Sequence, residues 1–146
     1  MSDVPGSWRQ SGLAWWPLLL ATLALDQLTK EWIHTQLALH ESFRVLPVLD
    51  ILHARNTGAA FSFLANAGGW QRWAFTVLAL GVSIAILIAL RRMSLAGQRL
   101  QTAGLLLIAS GALGNAIDRL RHGYVVDFVG VHWKDAWFPA FNVADS

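Results

Sequence analysis

The chain has 146 residues, of which 55% are hydrophobic and only 14% charged, with a formal net charge of +2. A soluble domain carries about 25% charged residues, so this chain lacks the polar surface that water demands, and its mean hydropathy of +0.44 points to the bilayer. The basic residues are dispersed, which leaves nucleic-acid binding unsupported, and the absence of cysteine excludes disulfides, thiolate metal sites and a cysteine nucleophile.

Sixteen uncharged residues separate Arg9 from Asp26, centred on LAWWPLLLATLAL. With DQLTKEWI added, the stretch reaches the length of about 20 residues that a bilayer requires. No small-residue cleavage site follows it, so it reads as an uncleaved first span over about 14–33. Residues 34–69 contain β-favouring pieces such as FRVLPVLDIL and a Gly/Ala-rich turn, and they lack a helical stripe. They read as a small layer outside the membrane. The eighteen uncharged residues at 73–90 form the clearest span. A basic loop, RRMSLAGQR, leads from there into a third span over about 100–119, whose Gly104, Ser110, Gly111, Ala112 and Gly114 suit close helix packing in lipid.

The short loop with Arg91, Arg92 and Arg99 assigns itself to the cytoplasmic side. Segments 34–69 and 120–138 then lie on the outer side. Eight tryptophans suit two membrane–water interfaces. The reading is a single all-α membrane domain over 1–146, with an outer β-layer at about 40–65 and 121–138.

Ionisable groups inside a span are costly and therefore informative. Asp26 and Lys30 are one helical turn apart and suit an ion pair, which as a bare anchor of the helix at the interface would need no further role. Asn115 and Arg119 share a face at the end of the third span, while Asp118 points partly elsewhere. Asn56, beside a Gly58–Ala59–Ala60 turn, is placed on the same side. Asp127 sits among Val125, Val126 and Phe128, and Asp145 follows the aromatic stretch WFPAFN. Apolar burial raises a carboxyl pKa, and a second carboxylate nearby raises one of the two further. Such a pair can share a proton, one acid taking a proton from water and the other polarising a carbonyl. Two aspartates this far apart in a sequence are more commonly surface acids. The histidines at 34, 40, 53, 122 and 132 lack metal-ligand spacing, and no G-x-S-x-G elbow occurs, so metal or serine hydrolysis has little support.

Four blocks, LDQLTK (25–30), RNTGAAFS (55–62), GALGNAIDRLRHGYVVDF (111–128) and FPAFNVADS (138–146), together and in this order resemble lipoprotein signal peptidase, or signal peptidase II. The resemblance implies a multi-pass enzyme of the bacterial inner membrane, with its active site near the periplasmic face. It implies an aspartyl endopeptidase that removes signal peptides from diacylglyceryl-modified prolipoproteins, cutting N-terminal to the lipidated cysteine, with no metal or cofactor. The catalytic pair would be Asp127 and Asp145. Asp26, Lys30, Asn56, Gly111, Asn115, Arg119 and Asn142 would shape the substrate pocket, and the cyclic lipopeptide globomycin would occupy it. The implied fold is a four-helix transmembrane bundle with a small outer β-layer in contact with membrane lipid. The fourth span is expected from about 140 and is cut off at 146, the sequence being either a fragment or that of a truncated protein. Truncation would leave Asp145 on a loosely held terminus, and a catalytically inactive truncated member is an alternative reading. Residues LPVLDIL would pair with an extended substrate by strand addition. The alternative from another class is a small transporter or proton relay using Asp26, Asp118, Asp127 and Asp145, which predicts acids spread across membrane depth.

Overall fold

The computed structural model describes residues 5–58 and 68–146. Its three helices carry the apolar runs: α1 (Trp16–Gln36), α2 (Trp70–Arg92) and α3 (Arg99–His122). Among the described residues, α2 and α3 are long and apolar enough to cross a membrane. Helix α1 has 21 residues but includes Asp26, Lys30 and Glu31 in its second half.

Helix α1 shows how these residues behave in lipid. Its buried positions are Leu19, Asp26, Lys30 and Ile33, whose spacing forms one stripe along the helix. Its exposed positions include Leu20, Leu25, Leu28 and Trp32. Charge inside and leucine outside reverses the rule for a protein in water, and it is the arrangement a hydrocarbon solvent requires. Pro17 starts the helix where its missing N–H is harmless. Helix α3 lies between its neighbours and packs on both. Leu19 of α1, Ile86 and Leu90 of α2, and Leu106 and Ala109 of α3 form the core between them.

Two 3₁₀ turns, Trp8–Gln10 and Gly12–Trp15, precede α1. They dock on the α2–α3 connection, where Gly12 N–H donates to the Met93 carbonyl at 3.1 Å and Leu95 N–H to the Gln10 carbonyl at 3.0 Å. This end of the bundle carries Trp8, Trp15 and Trp16. Trp32, Trp70, Trp73, Trp133 and Trp137 belong to the other end, so the tryptophans form two belts separated by the leucine-rich middle.

At that second end lies a four-stranded antiparallel sheet in the order β1 (Ser42–Leu46), β2 (Leu49–Asn56), β3 (Val125–Trp133), β4 (Ala136–Trp137). β2 has a partner along both edges, so the LDIL part of LPVLDIL is not free for strand addition; an added strand would have to use an edge strand, β1 or β4. The first four residues of β3, Val125–Phe128, are all buried, because one side packs on Ile33 of α1 and the other is covered by the chain's last segment. The third helix runs to His122, past the expected end near 119, because the sequence offers no stop before Gly123. That residue ends α3 in the left-handed region, at φ 85°, which costs glycine nothing and other residues about 1–2 kcal/mol. Gly123→Val should therefore lower stability by about that amount, read as a lower midpoint of tryptophan-monitored thermal unfolding in detergent.

Candidate active site

The strand period places Asp127. It lies opposite Ala54 in the β2–β3 register, and Asn56, two residues on from Ala54, shares that face. The small Ala54 side chain leaves room beside it, and Asn56 Nδ2 donates to Asp127 Oδ2 at 3.0 Å. Asn56 is itself fixed, since its Oδ1 accepts from Gly58 N–H at 2.9 Å. Gly58 adopts φ 94°; Ala59 and Ala60 of the expected turn, with Phe61 and Ser62 of the matching block, lie outside the described residues.

The turn after β3 closes the eighteen-residue gap to the second acid. Past β4 the chain runs back along β3, exchanging backbone hydrogen bonds between Phe141 and Val129 at 2.8 and 3.1 Å. Asn142 follows, fully buried, and its Nδ2 donates to Asp127 Oδ1 at 2.7 Å. It is also the N-cap of the 3₁₀ turn Val143–Asp145. Asp145 N–H donates to Asn142 Oδ1 at 3.2 Å, and Asn142 N–H donates back to Asp145 Oδ2 at 3.3 Å, which makes a reciprocal capping box. Asn115 Nδ2 donates to Asp145 Oδ1 at 2.9 Å. The carboxylate of Asp145 is thus held on both oxygens, in contrast to the loosely held terminus expected.

One glycine makes this approach possible. A Cβ built on Gly111 would collide with the carbonyl oxygen of Ala144, so the turn can lie against α3 only where no side chain intervenes. A Cβ on Gly114 would likewise meet the Asp26 carboxylate. The run of small residues in α3 is therefore a packing face shaped for the polar site as well as for a neighbouring helix.

Beneath the two acids lies a buried cation. Lys30 Nζ has three donors and three acceptors: Asp26 Oδ2 at 2.8 Å, Asp118 Oδ2 at 3.1 Å and Asn115 Oδ1 at 2.8 Å. Lys30, Asp26 and Asp118 are each at most 3% exposed, so they form no interfacial anchor but an internal network. Asp26 Oδ1 also accepts from Ala144 N–H at 3.0 Å, and Asp118 Oδ2 from Val126 N–H at 3.1 Å. The network thereby grips the residues preceding both acids, 144 and 126. Gln27 Nε2 contributes bonds to Asp26, Asp118 and the Gly114 carbonyl at 3.1–3.2 Å. Arg119 lies at the edge of the amide scaffold, its Nη1 donating to the Asn115 carbonyl at 3.4 Å and its guanidinium over Phe75 at 5.2 Å, near enough to Asp145, Asp118 and Asp127 to feel their charges.

Burial pushes the Asp127 carboxyl up to about 6 from an ordinary 3.8, and the charge of Asp145 adds to the rise. The hydrogen bonds from Asn56 and Asn142 and the charge of Lys30 act in the opposite direction. A carboxyl poised near neutrality beside a second one has the makings of a general acid–base pair. Next to them a cavity of about 400 Å³ has Asp26, Asn115, Gly111 and Asp145 on its polar side and Leu107 and Ile108 on its apolar side.

The structure thus brings together all nine residues singled out from the sequence, with Arg119 at the margin. Sequence reasoning left out Gln27 and gave Asp118 no place in the pocket.

Residues 18–146 match the family model for signal peptidase (SPase) II. The chain is 50% identical over 143 residues to the lipoprotein signal peptidase of Shewanella piezotolerans and 49% identical to that of Shewanella pealeana; each alignment covers 98% of this chain and 84% of the relative. Among solved structures it resembles a bacterial membrane enzyme determined at 2.3 Å by the in meso method, with a TM-score of 0.76 and 31% identity over 88% of this chain and 76% of that one. A second such structure, at 1.9 Å, gives a TM-score of 0.74.

Replacing Lys30 by Met removes the only cation among the described residues that touches the buried carboxylates Asp26 and Asp118, a loss on the order of 3–5 kcal/mol. Chemical denaturation in detergent should show that loss, and Asp118→Asn added to Lys30→Met should recover part of it. Full stability in the single variant would mean that the ion pairs do not hold the site together.

Proposed function

The chain belongs to the signal peptidase II family, and on that premise we propose that Asp127 and Asp145 are the pair that cuts. The protein is a lipoprotein signal peptidase, an aspartic-type endopeptidase of the membrane that removes signal peptides from prolipoproteins. Asp127, with its carboxyl pushed up to about 6, carries the proton and donates it to the scissile carbonyl. Asp145, ionised, takes a proton from the attacking water. The chemistry requires neither a metal nor a covalent intermediate.

The observation that carries this assignment is the amide scaffold: Asn142 bonds Asp127 with its side chain and Asp145 with its cap, so one residue sets both acids. Asn56 and Asn115 fix the remaining geometry from β2 and α3. Asp26, Lys30 and Gly111 support that scaffold from below, and Arg119 places positive charge beside the pair to stabilise the developing oxyanion.

The cavity beside Asp145 suits the substrate. Its Leu107 and Ile108 wall is exposed on the lipid-facing side of α3, where the diacylglyceryl chains of a modified cysteine would lie while the peptide bond stays with the acids. Globomycin, a lipopeptide, would take the same cavity. A fourth transmembrane helix starting from the Asn142 cap would complete the bundle. The enzyme is multi-pass in the bacterial inner membrane, with the arginine-rich end cytoplasmic and the acids near the periplasmic face. Holding water and peptide in line contributes several kcal/mol of the barrier reduction.

Asp127→Asn and Asp145→Asn should each reduce cleavage of a diacylglyceryl-modified prolipoprotein by about 10²–10⁴-fold with the fold intact, and the double variant should be no worse than either. Gel shift of the substrate measures this; mild, additive losses would sink the shared-proton mechanism. The pH profile supplies an independent check. Because Asp127 must be protonated, kcat/KM should fall as pH rises through about 6. Asn56→Ala deletes a hydrogen bond that favours the carboxylate, so the same inflection should move upward in pH; a downward move would contradict the assignment of Asp127 as the acid.

A further inference from the structure

Among the described residues, the end of the bundle opposite the acids carries charge of a single sign. Arg91 and Arg92 close α2, Arg99 opens α3, and Arg9 lies in the segment docked between them. All four are exposed. None of them forms an ion pair among the described residues; Arg9 stacks on Trp8 at 5.5 Å and Arg91 Nη1 donates to the Pro5 carbonyl at 3.4 Å. Among the described residues of this half, 5–25 and 70–117, there is no Asp or Glu to neutralise them; Asp3 lies outside the described residues. Guanidinium groups gathered at a membrane surface with no counter-charge among the described residues suit an anionic ligand.

A groove leads down from them. Ile84, Leu87, Ile88, Arg91 and Arg92 line a depression of about 420 Å³ on α2. The spacing 84, 88, 91 follows one helix face, so the apolar floor runs along the bilayer and the two arginines stand at its mouth. Ile84 is 58% and Ile88 52% exposed, leaving the floor uncovered by protein. Around the corner, Arg99, Ser94 and Gln10 border a second recess of about 520 Å³, which extends the cationic rim. A ligand that fills such a groove is apolar over most of its length and has one anionic head.

We propose that this groove is a binding site for an anionic phospholipid, its acyl chain along Ile84, Leu87 and Ile88 and its phosphodiester held by Arg91 and Arg92. Free phosphate meets the arginines but leaves the isoleucine floor unused. A zwitterionic lipid fills the floor but brings its own cation to a rim that already has four. The site is separate from the acids and from the cleavage chemistry, so it stands or falls without them.

The test is native mass spectrometry of the full chain released from micelles containing equal phosphatidylglycerol and phosphatidylcholine. Phosphatidylglycerol should be retained preferentially. Each arginine near the surface is worth about fivefold in that preference, so Arg91→Gln with Arg92→Gln should reduce retention by tenfold or more. Lys134→Gln, which removes the same charge at the other end, should leave it unchanged. Ile88→Trp fills the floor while keeping every arginine, and it should lower retention as well; this variant separates a built groove from diffuse attraction and does not depend on the arginine variant folding normally. Equal retention of the two lipids, unchanged retention in either groove variant, or displacement of the lipid by inorganic phosphate at millimolar concentration would each overturn the proposal.

Discussion

The site depends on one buried ammonium group. Lys30 fills its three donor positions with Asp26, Asp118 and Asn115, and those three residues reach every element that matters. Asp26 holds the backbone before Asp145, Asp118 holds the backbone before Asp127, and Asn115 holds Asp145 directly. Charges so deeply buried are stable only when every partner is present. The arrangement therefore acts as a registration device: helices α1 and α3, strand β3 and the terminal turn meet correctly or the desolvation of three charges goes unrepaid.

The lysine also decides which way the amides point. Asn115 Oδ1 faces Lys30, so its NH₂ group must face Asp145. Asn142 Oδ1 accepts from the Asp145 backbone, which turns its NH₂ toward Asp127. Asn56 is turned the same way by Gly58. Each carboxylate consequently receives donors whose orientation is imposed from elsewhere. That matters for the chemistry, because burial favours the protonated form of Asp127, whereas the hydrogen bonds it accepts favour the ionised form. The two influences meet near pH 6, the range in which a carboxyl can both hold and release a proton.

The legible part of the fold was the part written in hydrocarbon. The run 73–90 has no charge, and α2 forms there; the basic loop at 91–99 separates two helices as its composition implies. The strand around Asp127 was legible as an acid among β-formers. The proposed pairing of Asp127 with Asp145 could be placed only through the family resemblance, because the two acids lie eighteen positions apart and nothing in the spacing specifies a return path along β3. What the sequence hid is the depth of the Lys30 network. Asp26 and Lys30 one turn apart look the same whether they anchor a helix at the interface or lie buried in a bundle. The difference is made by Asp118, 88 residues beyond Lys30, and by the backbone N–H groups of Ala144 and Val126 that the two carboxylates hold, and such distant partners leave no local pattern.

The distribution of the acids also bears on what kind of membrane protein this is. A relay that moves protons across a bilayer needs titratable groups at successive depths. Here residues 70–117, which make up α2 and most of α3, contain no Asp or Glu at all, and the acids of α1 and α3 gather at the end that bears the sheet. Among the described residues no chain of carboxylates leads from the sheet end to the opposite face. Concentrating ionisable groups at one depth limits the desolvation cost to a single layer. It also sets that layer at the level where a lipid-tethered peptide leaves the hydrocarbon. Apolar leucines and isoleucines outside, a sealed ion cluster inside and two acids at the rim are thus consequences of the same solvent: the bilayer both forbids charge in the middle of the protein and delivers the substrate to the edge where charge is permitted.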